Sequence, residues 1–291
     1  MRIGNSETNF IKPMVCDVDE GFKKAKALGL DTFDVQCLIN PELYEYDEKV
    51  LDEYFEKLSR ASKEYGIELF QSHALWDMSI DQRVEENRKF IIQRYKEAAV
   101  MSSKMGIRNM VCHTLYVDGF GKDLNPEKGM DENILLFREL GEFAGDLGVN
   151  ICIENLPFTQ VESVSKVENV MKIVKAIGLQ NVGMCLDTGH AHLFKKDISE
   201  DVDIIGEKLF ALHIHDNNGD GDHHLIPYYG NIDWDAFLKA LARSGFEGSL
   251  NYETNVRQAV SEKATEEFRK AFFVCCREMA NMVEKYRAQE V

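Results

Sequence analysis

Six side chains able to hold a metal ion, His73, His113, Glu154, Asp187, His213 and Glu253, recur along the chain at separations of 40, 41, 33, 26 and 40 residues. Histidine makes up only 8 of the 291 residues, yet three of these six positions are histidine. Imidazoles and carboxylates in such a mixture suit a divalent cation, which polarises a carbonyl or acidifies a neighbouring proton. Each has a plainer reading on its own: a lone histidine is usually just hydrogen-bonded, and a lone glutamate usually meets a Lys or Arg. Glu154 fits that reading poorly. It follows the run Asn150-Ile151-Cys152-Ile153, shares a strand face with Cys152 and has no basic neighbour nearby in the sequence. A buried carboxylate without a partner is costly, and a divalent cation is the obvious partner. Cys185 and Asp187 repeat the pattern within VGMCLDTGH, where His190 follows Asp187 by three residues. Asp222 and His224 form an Asp-x-His in the acidic, turn-forming stretch HDNNGDGDHHLIP. That stretch reads either as a solvated loop or as one folding back beside His190. In the second case His190, Asp222 and His224 form a second metal locus or hold substrate hydroxyls. His192, His215 and His223 have weaker claims. His215 shares the face of His213 but lies further out, and the other two are expected to point away from their paired neighbours.

Side chains this far apart in sequence can meet only if the chain returns repeatedly to one axis. Short β-type runs alternate with helical segments throughout. The expected strands are Arg2–Asn5, Thr32–Leu38, Ile67–Ala74, Ile107–Thr114, Val149–Leu156, Val182–Asp187, Leu209–His215 and Ser249–Thr254. Between them the sequence predicts helices over Val18–Leu28, Asp47–Tyr65, Asp81–Met105, Asp131–Leu147, Ser163–Ile177, Asp201–Lys208, Asp233–Ser244 and Ser261–Lys285. Apolar residues at 50, 51, 54, 55, 58 and 61 give the second helix its stripe, and Gly66 caps it. Eight strand–helix units call for a parallel sheet closed into an α/β (β/α)8 TIM barrel, a single domain over residues 1–291. An open doubly wound sheet would want a glycine-rich phosphate loop after the first strand, and Gly4-Asn5-Ser6 is too sparse for one. In a barrel the six metal-binding types fall at the C-terminal rim, around one pocket.

Composition sets outer bounds. The chain is 44% hydrophobic and 29% charged, as in soluble globular proteins, with no run of about 18 apolar residues to span a membrane. The N-terminal MRIGNSETNF lacks an export pattern, so a cytoplasmic location is expected. The seven cysteines (16, 37, 112, 152, 185, 275, 276) include no CxxC and read as small buried residues in a reducing compartment. A net charge of −16 opposes a polyanionic partner such as DNA, and no basic stripe compensates.

The segments IELFQSHA, MVCHTLY, ICIENLP, VGMCLDTGHAH, LHIHDN…DHH…GNIDW and NYETN together resemble the xylose-isomerase-like TIM-barrel superfamily, from about Ile67 to Asn255. That superfamily includes sugar and sugar-phosphate isomerases and epimerases and the type IV apurinic (AP) endonucleases. Resemblance to its ketose 3-epimerases implies that Glu154, Asp187, His213 and Glu253 hold one divalent metal. It also implies that Glu154 and Glu253 act as the catalytic acid/base pair and that His190 contacts substrate. Resemblance to the AP endonucleases implies three zinc ions on those residues plus His73, His113, His190, Asp222 and His224. The acidic charge and rim loops turn the reading toward the sugar enzymes. One departure is the family's Gly-Glu-Gly segment, which reads Tyr228-Tyr229-Gly230 here; the tyrosines are expected to reshape the pocket mouth.

The expected function is thus a sugar or sugar-phosphate isomerase or epimerase that depends on Mn²⁺, Zn²⁺, Mg²⁺ or Co²⁺. It would work by proton transfer through an enediolate, with Glu154 and Glu253 removing and returning the proton. His73, His113 and His190 would contact substrate, and Trp76 and Phe158 would offer an apolar wall. A phosphate would need a cation, and Lys122, Lys195, Lys196 and Arg257 lie in rim loops. The alternatives are a zinc-dependent AP endonuclease-like phosphodiesterase and a non-catalytic barrel subunit. The sequence leaves a homo-oligomer open.

Overall fold

A computed structural model of the chain describes residues 1–15, 17–254, 256 and 260–289. The readings made above for Cys16, Asn255 and Arg257 lie outside the described residues. The strands are β1 (Arg2–Ser6), β2 (Thr32–Val35), β3 (Glu68–His73), β4 (Asn109–His113), β5 (Asn150–Glu154), β6 (Val182–Asp187), β7 (Leu209–His213) and β8 (Ser249–Tyr252). All pair in parallel in the order β7-β6-β5-β4-β3-β2-β1-β8. The remaining seam closes just beyond β7: Ile214 N donates to Asn251 O at 2.8 Å and Glu253 N donates to Ile214 O at 3.1 Å. The fold is the single TIM barrel read from the alternation of elements, its last seam held by a bridge rather than a full ladder.

The helices are α1 (Val18–Ala27), α2 (Glu48–Tyr65), α3 (Glu85–Lys104), α4 (Pro126–Asp146), α5 (Glu162–Ser165), α6 (Val167–Ile177), α7 (Thr188–His192), α8 (Ser199–Ile205), α9 (Trp234–Arg243) and α10 (Glu262–Arg287). Helix α2 buries Leu51, Tyr54, Phe55, Leu58 and Ala61 and leaves Val50 43% exposed, so its stripe is narrower than the sequence suggested. Helix α3 starts later than expected, because Asp81 instead binds the Arg83 guanidinium and backbone N–H in a local turn. Helix α4 starts earlier, with Asn125 as its cap and Pro126 in the first turn, where a missing N–H costs nothing.

The most informative boundary is the end of β2, read as Thr32–Leu38 but stopping at Val35. The Glu7 carboxylate accepts from Gln36 N at 2.7 Å and Cys37 N at 2.8 Å, turning residues Gln36–Ile39 into a 3₁₀ helix. Between helices and sheet lies the main apolar core, including Phe22, Phe33, Phe137 and Trp234. Inside the barrel Val111, Cys152, Cys185 and Ala211 form a small apolar plug. Five of the six described cysteines are buried, as expected; Cys275 is only partly so. No helix among the described residues is long and apolar enough to cross a membrane.

Candidate functional site

The sheet delivers its polar groups to the rim through short local devices. At the end of β5, Asn155 clamps the next strand: its Oδ1 accepts from Asp187 N at 2.8 Å and its Nδ2 donates to Asp187 O at 2.9 Å. Asp187 then ends β6 and caps α7 by accepting from His190 N at 2.7 Å. The glycine of the Asp-Thr-Gly-His run is there for space, since a Cβ on Gly189 would lie 1.9 Å from the His215 ring.

One donor atom from each of Glu154, Asp187, His213 and Glu253 falls within 4.8 Å of the others. Glu154 is 1% exposed and is surrounded by imidazoles: His213 Nδ1 at 2.7 Å, His113 Nε2 at 2.9 Å and His73 Nε2 at 3.4 Å. Glu253 Oε2 is 3.4 Å from His213 Nδ1, while its Oε1 accepts from Gln36 Nε2 at 3.0 Å. His73, Glu154 and His213 make an overlapping group. His190, His215, Asp222 and His224 make a separate one. Asp222 bridges that second group, its oxygens 3.3 Å from His190 Nε2 and 3.3 Å from His224 Nε2, with His215 Nε2 at 3.7 Å. The acidic stretch therefore folds back beside His190, in one of the two ways weighed from sequence. His215, ranked as a weaker candidate, joins it, because its ring stacks on His224 at 3.9 Å. His192 turns away to Asn231 Oδ1 at 2.6 Å, and His223 is an exposed surface residue.

Three features of these residues fit a divalent cation. The first is ring orientation. Nδ1 of His73, His190 and His224 donates to the carbonyls of Ala74, Asn155 and Glu253 at 2.8, 2.9 and 2.8 Å, leaving Nε2 facing inward. His213 is held instead through Nε2, 3.2 Å from Asp34 Oδ2, with Nδ1 inward. Outer hydrogen bonds of this kind orient the imidazoles of metal sites. The second is charge: Glu154, Asp187, Glu253 and Asp222 converge with no Lys or Arg among the described residues lining their cavity. The third is the field this creates. Burial pushes the His190 imidazolium down, but Asp187, Asp222 and Glu154 outweigh it and raise its pKa to about 10. His224 goes to about 9 against the same burial, through Asp222 and Glu253. Burial would raise Glu154, yet His213, His113 and His73 hold it well below the ordinary carboxylate range. His113, where burial dominates, is lowered to about 4. The site is an anionic pocket that takes up positive charge.

These groups form one end of a cavity of about 730 Å³. Trp76 and Phe158 line it, as expected, and the Trp76 ring lies 4.2 Å from that of His113. The rim lysines serve elsewhere. Lys195 pairs with Asp201 at 2.7 Å, while Lys122 and Lys196 line neighbouring, smaller cavities. Tyr228 and Tyr229 are not among the residues lining the cavity, which corrects their expected place at its mouth. The Tyr228 ring packs toward Trp234 at 6.3 Å, and Gly230 lets the loop pass Asp216, where a Cβ would lie 2.3 Å from Oδ1. Asp34, on β2, escaped the sequence reading because that strand was carried through to Leu38. Its signal was a lone acid in Thr32-Phe33-Asp34-Val35.

A family model described as a xylose isomerase-like TIM barrel matches residues 22–272. An inosose isomerase of Bacillus velezensis is 26% identical over 72% of this chain and 78% of its own length. Two solved structures share the fold. The D-psicose 3-epimerase of Clostridium cellulolyticum H10 with D-tagatose has a TM-score of 0.77 and 19% identity, covering 96% of this chain and 99% of its own. The IolI protein with a binding zinc atom has a TM-score of 0.75 and 22% identity, covering 98% and 99%. With the match spanning most of both the barrel and its rim, the chain belongs to the xylose isomerase-like TIM-barrel family.

Proposed function

We propose that this protein is a divalent-metal-dependent isomerase or epimerase of a sugar or a related polyhydroxy ketone. The observation that carries the reading is the convergence of Glu154, Asp187, His213 and Glu253 within 4.8 Å at one end of a cavity large enough for a polyol. Those four would hold the cation, which supplies Lewis acidity toward a carbonyl oxygen. Mn²⁺, Mg²⁺, Co²⁺ and Zn²⁺ all suit three carboxylates and one imidazole. The chain's own groups do the proton work. Glu253, whose side chain is 21% exposed, is the most accessible of the four; Glu154 is buried. One carboxylate takes the carbon-bound proton α to the carbonyl and the other returns it. Return on the opposite face of the same carbon gives epimerisation, and return at the adjacent carbon gives isomerisation. His190, pinned through Nδ1, steadies a substrate oxygen with Nε2, and His73 and His113 line the same floor. The similarity to an inosose isomerase supports a polyhydroxy ketone as substrate.

The experiment is solvent-deuterium uptake into a panel of ketoses, ketose phosphates and inososes, using protein whose metal content is fixed by elemental analysis. Exchange into at least one is expected. No exchange by a fully metallated sample overturns the reading.

A second reading, a zinc-dependent phosphodiesterase of abasic DNA, draws on the second group of His190, His215, Asp222 and His224. The net charge of −16 opposes it. Nicking of an abasic duplex would establish it.

A further inference from the structure

The cavity is built in two chemically different halves, and the proposed sugar chemistry uses only one of them. Glu154, on the polar floor, is 1% exposed and His113 beside it is 8% exposed. From His113 a chain of aromatic rings runs through Trp76 at 4.2 Å, passes over the buried Tyr116 at 6.4 Å and continues to Phe158 at 5.5 Å and Phe120 at 4.6 Å. At its outer end Phe120 is 50% exposed and Met78 58% exposed, and both line the cavity. Exposed apolar side chains gathered on the wall of a pocket mark a ligand surface. The same cavity is also lined by Asp220 and Asp222.

A free monosaccharide bears a hydroxyl on nearly every carbon and would leave Phe120 and Met78 uncovered. A sugar phosphate would set a dianion beside Asp220 and Asp222, with no Lys or Arg among the described lining residues. The volume of about 730 Å³ lies in the upper part of the roughly 300–1,000 Å³ range of pockets that enclose drug-sized ligands. We propose that the substrate is a sugar or cyclitol carrying a planar apolar substituent, with the polyol on the acidic floor and the substituent against Trp76, Phe158, Phe120 and Met78. The polyol half of this proposal rests on the function proposed above; the apolar half rests on the wall alone.

The test compares methyl β-D-glucopyranoside with phenyl β-D-glucopyranoside on the metal-loaded full chain, following tryptophan fluorescence. The chain has two tryptophans; Trp234 is 1% exposed, so Trp76 reports on the cavity. The phenyl glycoside should bind at least about fivefold more tightly and quench Trp76. In the Phe120→Ala/Met78→Ala variant its affinity should fall to that of the methyl glycoside, with metal content unchanged. Both side chains are too exposed for their truncation to disturb the core. Equal affinities in the parent protein, binding of neither glycoside, or a preference that survives in the double variant overturns the proposal. Deuterium exchange into free ketoses without an aryl preference would overturn this inference alone; an aryl preference without exchange into any ketose would overturn the reaction and leave the subsite.

Discussion

Asp34 Oδ2 lies 3.2 Å from His213 Nε2, on the opposite edge of the ring from Glu154 Oε1, which is 2.7 Å from Nδ1. The same oxygen accepts from Gln71 Nε2 at 3.3 Å, Gln36 Nε2 at 3.3 Å and Asn251 Nδ2 at 3.1 Å, so Asp34 is itself held from three sides. A carboxylate at this position accepts a hydrogen bond from Nε2, and in the proposed metal site that would leave Nδ1 to the cation. Asp34→Asn keeps the shape and removes the charge. Metal affinity, read by competition with a chromophoric chelator, should fall by roughly 10–100-fold, as when outer partners of metal-site histidines are lost. An unchanged affinity would mean that the contact does not orient the ring for metal.

Glu154, Asp187 and Glu253 repel one another in the absence of a cation. A ligand that binds only the folded chain stabilises it by about 2.7 kcal/mol at a hundredfold excess over Kd. For a chain of this size that corresponds to a Tm higher by on the order of 5–10 °C. Dialysis against a chelator should remove the increment and Mn²⁺ or Zn²⁺ should restore it, as followed by calorimetry. A Tm indifferent to both treatments would count against a cation at this site.

The two glutamates should separate in their variants. Glu253→Gln removes the more accessible carboxylate, and deuterium exchange should slow by roughly 10²–10⁴-fold, the usual range for losing an acid/base group. Both carboxylates belong to the proposed ligand set, so both variants should bind metal more weakly; Glu154→Gln should lose more metal and slow exchange at least as much, because three imidazoles lean on that carboxylate. Elemental analysis beside the kinetics tells the two apart.

The barrel and most of its rim were legible because strand alternation and ligand spacing carry the same period. Val182–Asp187 is the clearest case, a wholly buried strand that ends on its carboxylate. What escaped depends on contacts between distant segments. Glu7 ends β2 from the end of the neighbouring strand β1, and no local pattern in Gln36–Ile39 announces it. His215 was judged by strand alternation, but β7 ends at His213 and His215 turns to put Nε2 3.0 Å from Asp187 Oδ1. A strand over Thr32–Leu38 hides Asp34 in mid-strand, whereas the end that Glu7 sets at Val35 puts Asp34 one residue from it.

Glu7 also gives the chain a pH signature. Burial raises its pKa from 4.5 to about 7, in spite of the two backbone N–H groups that favour its charged form. A carboxyl whose pKa is higher folded than unfolded binds more protons in the native state, so stability falls as pH rises. The contribution is complete below about 4.5 and is lost as pH climbs through about 7, amounting to about 3 kcal/mol. Glu7→Gln cannot ionise. It should be less stable than the parent at pH 5, having lost an acceptor for one N–H, but should show a flatter decline between pH 5 and 7.5 in urea melts. Parallel pH profiles for the two proteins would refute the assignment.

The loop that brings Asp222 and His224 to the rim hangs on one buried carboxylate. Asp216 Oδ1 accepts from Asn217 N at 2.9 Å and Ile232 N at 3.3 Å; Oδ2 accepts from Tyr228 N at 2.9 Å and Trp234 Nε1 at 2.9 Å. A two-way backbone bridge to Leu225, 2.8 Å in each direction, closes the loop's base. His224 adopts a left-handed backbone, φ 48°, uncommon for a residue other than glycine, so the surrounding contacts must hold it there. In Asp216→Asn, one acceptor oxygen becomes an NH₂ facing two donors, and each buried group left unpaired costs roughly 1–3 kcal/mol. The loop should loosen while β5 to β8 stay in place. If the parent takes up a second zinc on His190, His215, Asp222 and His224, zinc titration of this variant should lose that ion and retain the one on Glu154, Asp187, His213 and Glu253. Gly230→Ala reaches the same loop by another route, its Cβ falling 2.3 Å from both Asp216 Oδ1 and Asn217 O, and should give the same selective loss. If both variants keep the parent's full stoichiometry, the second group is a hydrogen-bonded lip rather than a metal site. If both lose all zinc, the two groups depend on each other and the loop is part of the primary site.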